Sequence, residues 1–270
     1  MDHLTKALAA FVAISMSLIS ISLPEDGEVI KKISNDVNQN LYYEYTSSFY
    51  KTDWDTKIVM DPVVKINFEV LTLQGPELIS SGTGFSVLYD KNIGKSYILT
   101  NAHICKIQTK FTLPSRFYYE NKSSIMSPTS TFESGGLNII GVDESKDLCL
   151  MESDFYVLPA KIAKKDYKVR QMEKVKIIGA PNGVFPIVLD SYISNLISRE
   201  LIGAKITDRP LYLLSSIIHA GQSGSPVYNE SGEVVGVVFI NLNNNNGPIY
   251  GAAAIPLEDV REFLTLYRIL

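Results

Sequence analysis

Ser223 lies in the hexapeptide Gly221-Gln222-Ser223-Gly224-Ser225-Pro226. A nucleophilic serine needs its hydroxyl exposed on a tight turn, with backbone N–H groups aimed at a developing oxyanion. Glycines at 221 and 224 permit left-handed backbone and close approach of a substrate chain. A plain Gly/Ser/Pro hairpin loop is the other reading of the hexapeptide alone. The nucleophile also needs a base that works near neutral pH, which is nearly always histidine. The chain has His3, His103 and His219. His3 falls beside an apolar leader. His219 precedes Ser223 by four residues on the same loop, where backbone geometry makes it a poor partner. His103 ends the strand-like run Leu99-Thr100-Asn101-Ala102 and is the candidate base. Asp147, at the start of the apolar run Leu148-Cys149-Leu150-Met151, is the candidate carboxylate to orient it. Asp143 is the rival, but it sits in the turn Gly141–Lys146 without an apolar strand directly behind it.

The two cysteines repeat this spacing. Cys105 follows His103 by two residues, and Cys149 follows Asp147 by two. If the histidine and the aspartate meet, the chain two residues on also runs close together. In extended chain, residues i and i+2 point to one side. A Cys105–Cys149 disulfide is therefore expected in an oxidising compartment. Two buried, unpaired thiols are the alternative.

Composition narrows the classes. The 270 residues carry 25 Lys plus Arg against 29 Asp plus Glu, a net charge of −4, which argues against a nucleic-acid partner. Two cysteines without a CxxC pair, and three histidines, give no metal motif. No cofactor is expected. A hydrophobic fraction of 46% supplies a sizeable core. Ala7 to Leu23 is free of charge, with Lys6 before it and Glu25, Asp26 and Glu28 after it. Residues 1–23 read as a signal peptide or a membrane anchor through residues 7–23, and either one exports the rest of the chain. Residues 24–57 are a polar lead-in, with Val29, Ile33, Val37 and Leu41 on one helical stripe.

From Pro62 the pattern is short β-branched and aromatic runs between Gly and Pro turns, as in an all-β barrel or sandwich. Gly94 suits the hairpin turn Lys91–Lys95. Pro114 to Gly136 reads as a long polar surface loop, and Val157 to Arg170 as a connector. Pro256 to Leu270 reads as a helix with Val260, Phe263, Leu264 and Tyr267 on its apolar face.

Gly82-Thr83-Gly84-Phe85, Thr100–Cys105, Asp147–Glu152 and Gly221–Val237 together resemble the trypsin-like serine peptidases. The order His, Asp, Ser agrees. The bacterial high-temperature-requirement proteases and the glutamyl endopeptidases are the most similar branches, over roughly residues 60–265. The resemblance implies an all-β fold of two antiparallel six-stranded barrels, chymotrypsin-like, with a C-terminal helix. The barrels would occupy residues 58–156 and 157–256, and the helix residues 257–270. It implies a catalytic triad of His103, Asp147 and Ser223, with an oxyanion hole from the N–H groups of Gly221 and Ser223. A primary substrate pocket would involve Ile217 and the segment Val238, Phe239, Ile240 and Asn241. No acid or base lies at those positions, so small or medium aliphatic side chains should fit.

Departures refine the expectation. Only 14 residues follow Pro256, too few for the PDZ domain that many high-temperature-requirement proteases carry. Ser225 replaces a glycine of the commonest serine loop. Glutamyl endopeptidases carry a histidine where this chain has Val237-Val238-Phe239, so preference for acidic substrates is unsupported. The expected function is a serine endopeptidase acting on protein or peptide substrates through an acyl-enzyme. The alternative is a latent peptidase-fold module that binds peptides or plays a structural role. An α/β-hydrolase esterase would need the order Ser, acid, His and a helix after the serine.

Overall fold

Four consecutive buried residues, Leu148-Cys149-Leu150-Met151, show how this chain builds its cores. Successive side chains of a strand point to opposite faces. Leu148 and Leu150 join one hydrophobic cluster, while Cys149 and Met151 join another. Such a strand separates a barrel interior from a second buried surface and is wetted on neither side.

The computed structural model describes residues 60–121, 134–198, 209–243 and 249–270. All lie within the unit Trp54–Leu270. The apolar leader and the lead-in stripe lie outside the described residues. Among the described residues, no helix is long and apolar enough to cross a membrane.

The first six strands are β1 (Val63–Thr72), β2 (Gly75–Asp90), β3 (Lys95–Thr100), β4 (Ser115–Asn121), β5 (Ser134–Asp143) and β6 (Leu148–Ser153). They close in the order β1-β2-β3-β6-β5-β4. The second six are β7 (Glu173–Gly179), β8 (Ile187–Ile197), β9 (Leu211–Leu214), β10 (Pro226–Tyr228), β11 (Val234–Asn243) and β12 (Ile249–Pro256). They close in the order β10-β11-β12-β9-β8-β7. All pairings within both barrels are antiparallel. Among the described residues, two α-helices, α1 (Ala102–Cys105) and α2 (Leu257–Leu266), and two short 3-10 helices, Lys106–Lys110 and Pro181–Gly183, complete the order. The all-β, two-barrel expectation therefore stands, C-terminal helix included.

Local details depart from expectation at three places. The stretch 114–136 is not one loop, because β4 occupies Ser115–Asn121. Its alternation Arg116-Phe117-Tyr118-Tyr119-Glu120 turns Phe117 and Tyr119 into the barrel, a period-2 signal masked by the polar residues around it. The serine loop runs into β10, a strand of 3 residues that is too short to announce itself. His103 sits in the single helical turn α1 and not in a strand.

Between the barrels lies a third buried layer. Val63, Phe85 and Leu99 of the first barrel meet Ile178, Tyr228 and Val237 of the second within one cluster. The apolar face of α2 closes this layer with Val260, Phe263 and Leu264. Tyr267 seats over β5, where a Cβ at Gly141 would lie 1.9 Å from the tyrosine oxygen.

Ion pairs fasten the same helix. Lys146 Nζ lies 3.0 Å from Asp143 and 3.3 Å from Glu262, and Arg209 lies 2.8 Å from both Glu262 and Asp259. Hydrogen bonds from Arg209 and Lys146 hold the Glu262 carboxyl below its usual range. Burial pushes Asp143 up, but hydrogen bonds from Ser145 and Lys146 outweigh it and the net shift is downward. Burial pushes Lys146 down, and its two carboxylate partners more than reverse that. A carboxyl whose pKa is lowered on folding adds stability above its unfolded pKa, and that contribution is lost as pH falls through the folded value. Glu262→Gln should therefore lower the thermal midpoint at neutral pH. The gap to wild type should close as pH drops below the ordinary glutamate value of 4.5. Equal gaps at pH 7 and in acid, measured by thermal melts, would rule out the ionic origin.

Candidate active site

Asp147 is where the site begins. Its backbone is left-handed, with φ 53, a region that aspartate tolerates better than most residues. The β3–β6 register pairs Thr100 with Cys149, which sets the end of β3 beside the start of β6. Asp147 Oδ1 accepts the backbone N–H of His103 at 2.9 Å, and Oδ2 faces His103 Nδ1 at 2.8 Å. The Asn101 side chain donates to the Asp147 carbonyl at 3.1 Å. The carboxylate can only accept, so Nδ1 carries the proton and Nε2 is left as an acceptor. The Asp147 side chain is 9% exposed and that of His103 46%. The acid is thus shielded while the imidazole faces solvent.

Two residues further on, Cys105 and Cys149 are joined by a disulfide, with Cα atoms 6.5 Å apart. It ties α1 to β6 directly behind the His103–Asp147 pair. Asp143 is engaged elsewhere, by Ser145 and Lys146.

Ser223 comes from the second barrel, on the loop between β9 and β10. Two glycines are required there. Gly221 has φ 92, and a Cβ on it would lie 2.2 Å from the Ala180 carbonyl oxygen. Gly224 has φ 84, and a Cβ on it would lie 2.1 Å from the Thr83 carbonyl oxygen. Ser225, the departure from glycine, covers Gly179: a Cβ there would meet Ser225 Oγ at 2.1 Å. One glycine is in effect exchanged for another across the contact.

The backbone of the loop is held from outside. Asn182, left-handed at φ 50, donates its N–H to the Ala220 carbonyl at 2.6 Å. A trans peptide is planar, so fixing that carbonyl turns the Gly221 N–H the opposite way. Among the described residues, neither the Gly221 nor the Ser223 N–H has a protein acceptor. The Ser223 hydroxyl donates to the Phe239 carbonyl at 3.3 Å and not to His103.

His103, Asp147 and Ser223 line one cavity of about 560 Å³ with Glu144, Ile218, His219, Ala220, Phe239, Ile240, Asn241 and Leu242. Two of the expected pocket residues are not among its lining. Val238 is fully buried in the second barrel's interior, because the alternation of β11 sends it inward. Ile217 is 48% exposed, and its neighbour Ile218 lines the cavity. The Asn241 amide is spent on the opposite wall. It accepts the Ile218 N–H at 3.0 Å and donates to the Ile218 carbonyl. Glu144 pairs with Lys106 at 2.7 Å. Asn182 and Glu144 are additions to the expected set. The Asn-Gly dipeptide at 182–183 is a turn signal that could have drawn attention to the first. Among the described residues, no group of three or more His, Cys, Asp or Glu is placed to hold a metal ion.

Comparison with known proteins places the chain in a family. Residues 82–237 match the family model described as the trypsin-like peptidase domain. Serine protease HTRA1 of Xenopus laevis is 30% identical over 188 residues, covering 68% of this chain and 36% of that protein. The Do-like serine protease HtrA of Bacillus subtilis is 25% identical over 67% of this chain and 38% of its own length. A probable periplasmic DegP-like serine endoprotease of Hahella chejuensis is 27% identical, over 68% and 35%. The chain thus spans little more than a third of the length of these relatives. Among solved structures, an HtrA-type protease with a tripeptide superposes with a TM-score of 0.60 at 19% identity. That match covers 78% of this chain and 61% of the other and supports the fold.

A bridge closing a 44-residue separation stabilises by roughly 4 kcal/mol in the chain-entropy model. Replacing both Cys105 and Cys149 with alanine should cost a comparable amount in denaturant titration. Non-reducing peptide mapping should recover the two cysteines linked, and two free alkylatable thiols would contradict the bridge.

Proposed function

This chain belongs to the trypsin-like peptidase family, and from that premise we propose that it is a serine endopeptidase acting on protein or peptide substrates. The observation that carries the reading is one cavity lined by Ser223 and the aspartate-held His103, beside a loop in which the N–H groups of Gly221 and Ser223 have no protein acceptor. Ser223 Oγ attacks the peptide carbonyl and its proton passes to His103 Nε2. Asp147 keeps the imidazole in the tautomer that can accept it and stabilises the imidazolium. The carbonyl oxygen, now anionic, receives the N–H groups of Gly221 and Ser223. His103 returns the proton to the leaving amine, and water then releases the acyl group from Ser223 by the same route. Export is part of the reading. The apolar leader supports it, as do a disulfide suited to an oxidising space and the word periplasmic in the name of the Hahella relative.

A second reading, a latent peptide-binding module, draws on the Ser223 hydroxyl resting on the Phe239 carbonyl. Reaction with a fluorophosphonate separates the two. Wild-type protein should be labelled at Ser223, and Ser223→Ala should not. Ser223→Ala and His103→Ala should each lose several orders of magnitude in turnover, the double variant little more. Asp147→Asn should fold and lose on the order of 10⁴ in rate. Absence of labelling in folded wild type would favour the latent module.

Substrate preference follows from the lining. The Asn241 amide is held at both its oxygen and its nitrogen by Ile218, Glu144 is met by Lys106 and Asp147 by His103. The remaining walls are largely apolar. Library profiling should show Val, Ala, Leu or Ile on the acyl side of the cut, with discrimination of about 1–3 kcal/mol per methylene. Strong selection for Arg, Lys or Glu would contradict this account of the pocket.

A further inference from the structure

Thr83 touches neither the cavity nor solvent. It is fully buried on β2 of the first barrel, yet it makes four hydrogen bonds that converge on the serine loop and its supports. Its N–H donates to the Ser223 carbonyl at 2.9 Å. Its hydroxyl donates to the Gly221 carbonyl at 2.7 Å and accepts the Ala180 N–H at 3.0 Å. Its own carbonyl accepts the Thr100 hydroxyl at 2.7 Å, from the end of the strand that leads to His103.

The two carbonyls that Thr83 holds flank the Gln222–Ser223 stretch. Both are drawn toward the first barrel, and the peptide between them, whose Gln222 carbonyl accepts the Ser225 N–H at 3.0 Å, keeps its Ser223 N–H without a protein acceptor. The same hydroxyl fixes Ala180, two residues before the Asn182 N–H that turns the Ala220–Gly221 peptide. The Thr83 hydroxyl therefore braces the loop at Gly221 and its support at Ala180, beside the two peptide units that carry the free N–H groups. A hydroxyl is the smallest group that both donates and accepts at one atom. Valine has the shape of threonine and neither capacity.

We propose that Thr83 is a positioning residue through which the first barrel sets the oxyanion-binding N–H groups of the second. This inference rests on the peptidase reading above. The backbone bond from Thr83 to Ser223 survives substitution, so the hydroxyl can be tested alone. Thr83→Val, Thr83→Ala, Thr83→Ser and wild type should be compared on a peptide substrate and on a peptide aldehyde. The aldehyde forms a tetrahedral oxyanion adduct, whereas a substrate in its ground state does not. In Thr83→Val, kcat should fall on the order of 10²-fold, the scale of losing one oxyanion donor. KM should stay within about threefold, and aldehyde affinity should fall in parallel with kcat. Thr83→Ser should return kcat to within about fivefold of wild type. A role confined to stability would lower the melting temperature and leave the ratio of aldehyde affinity to KM unmoved. Wild-type turnover retained by Thr83→Val overturns the inference, as does a loss that serine fails to restore. Failure of both hydroxyl-free variants to fold also overturns it, because Thr83 would then hold the barrel and not the loop. A folded wild type that neither hydrolyses peptide nor binds the aldehyde removes the peptidase reading and this inference with it. An active wild type matched by Thr83→Val removes the inference alone.

Discussion

One carboxylate, that of Asp147, holds a single residue at two points, its backbone N–H and its ring Nδ1. Much of the first barrel can be understood as what that double contact requires. The carboxylate must be shielded, or water would compete for its oxygens. It must also approach from a fixed direction, because two acceptors have to meet two donors at once. The left-handed turn at Asp147 aims the side chain back over α1. The β3–β6 register fixes the distance between the two segments. The disulfide behind the pair and the Lys146 ion pairs to Glu262 keep the turn from drifting. Each device is local, and all serve the same pair of contacts.

Ser223 stands on the other barrel, so its meeting with His103 depends on how two closed sheets register against each other. An apolar layer alone sets proximity, since hydrophobic contact is non-directional. Direction comes from the few polar bonds that cross it. Thr83 reaches the serine loop by its N–H and hydroxyl, and the Ala160 N–H donates to the Ser86 carbonyl at 2.7 Å where the chain leaves the first barrel. In a dry layer such bonds cannot be exchanged for bonds to water, so shifting one barrel leaves unpaired groups behind. Helix α2 adds a strap, with Phe263 in the shared layer and Tyr267 over Gly141. Burial and directional bonding divide the work of bringing Ser223 and His103 to one cavity.

The parts legible in the sequence reflect this division. Tight turns have narrow residue requirements, so Gly221, Gly224 and Gly94 stood out, and all three have positive φ. The cysteine offsets carried over because they repeat the offsets of the two residues that meet. Closure into two six-stranded barrels came from the resemblance, since alternating runs fit a sandwich equally well. Strand β4 was hidden because its inward residues alternate with arginine and glutamate in a Ser-rich stretch. Ile218 and not Ile217 is among the residues lining the cavity, and both lie in irregular chain after β9, where no alternating pattern tells which side chain faces in. Thr83 and Asn182 act through bonds to carbonyls far away in the chain, and nothing in local spacing encodes such partners.

The position of Ser223 gives the last step. Its hydroxyl lies on the Phe239 carbonyl, while the N–H groups of Gly221 and Ser223 beside it are left without a protein acceptor. Turning a peptide unit disrupts bonds such as that from Asn182 to Ala220, whereas turning a serine hydroxyl changes one dihedral. The costly part of the arrangement is therefore built into the fold, and the inexpensive part is left to move. That ordering suits electrostatic stabilisation, which depends on dipoles that need not reorganise as charge develops. It also accounts for the concentration of left-handed backbone at Gly221, Gly224 and Asn182. Glycine adopts such backbone without strain, and its missing side chain lets the Ala180 and Thr83 carbonyls press directly on the loop at Gly221 and Gly224.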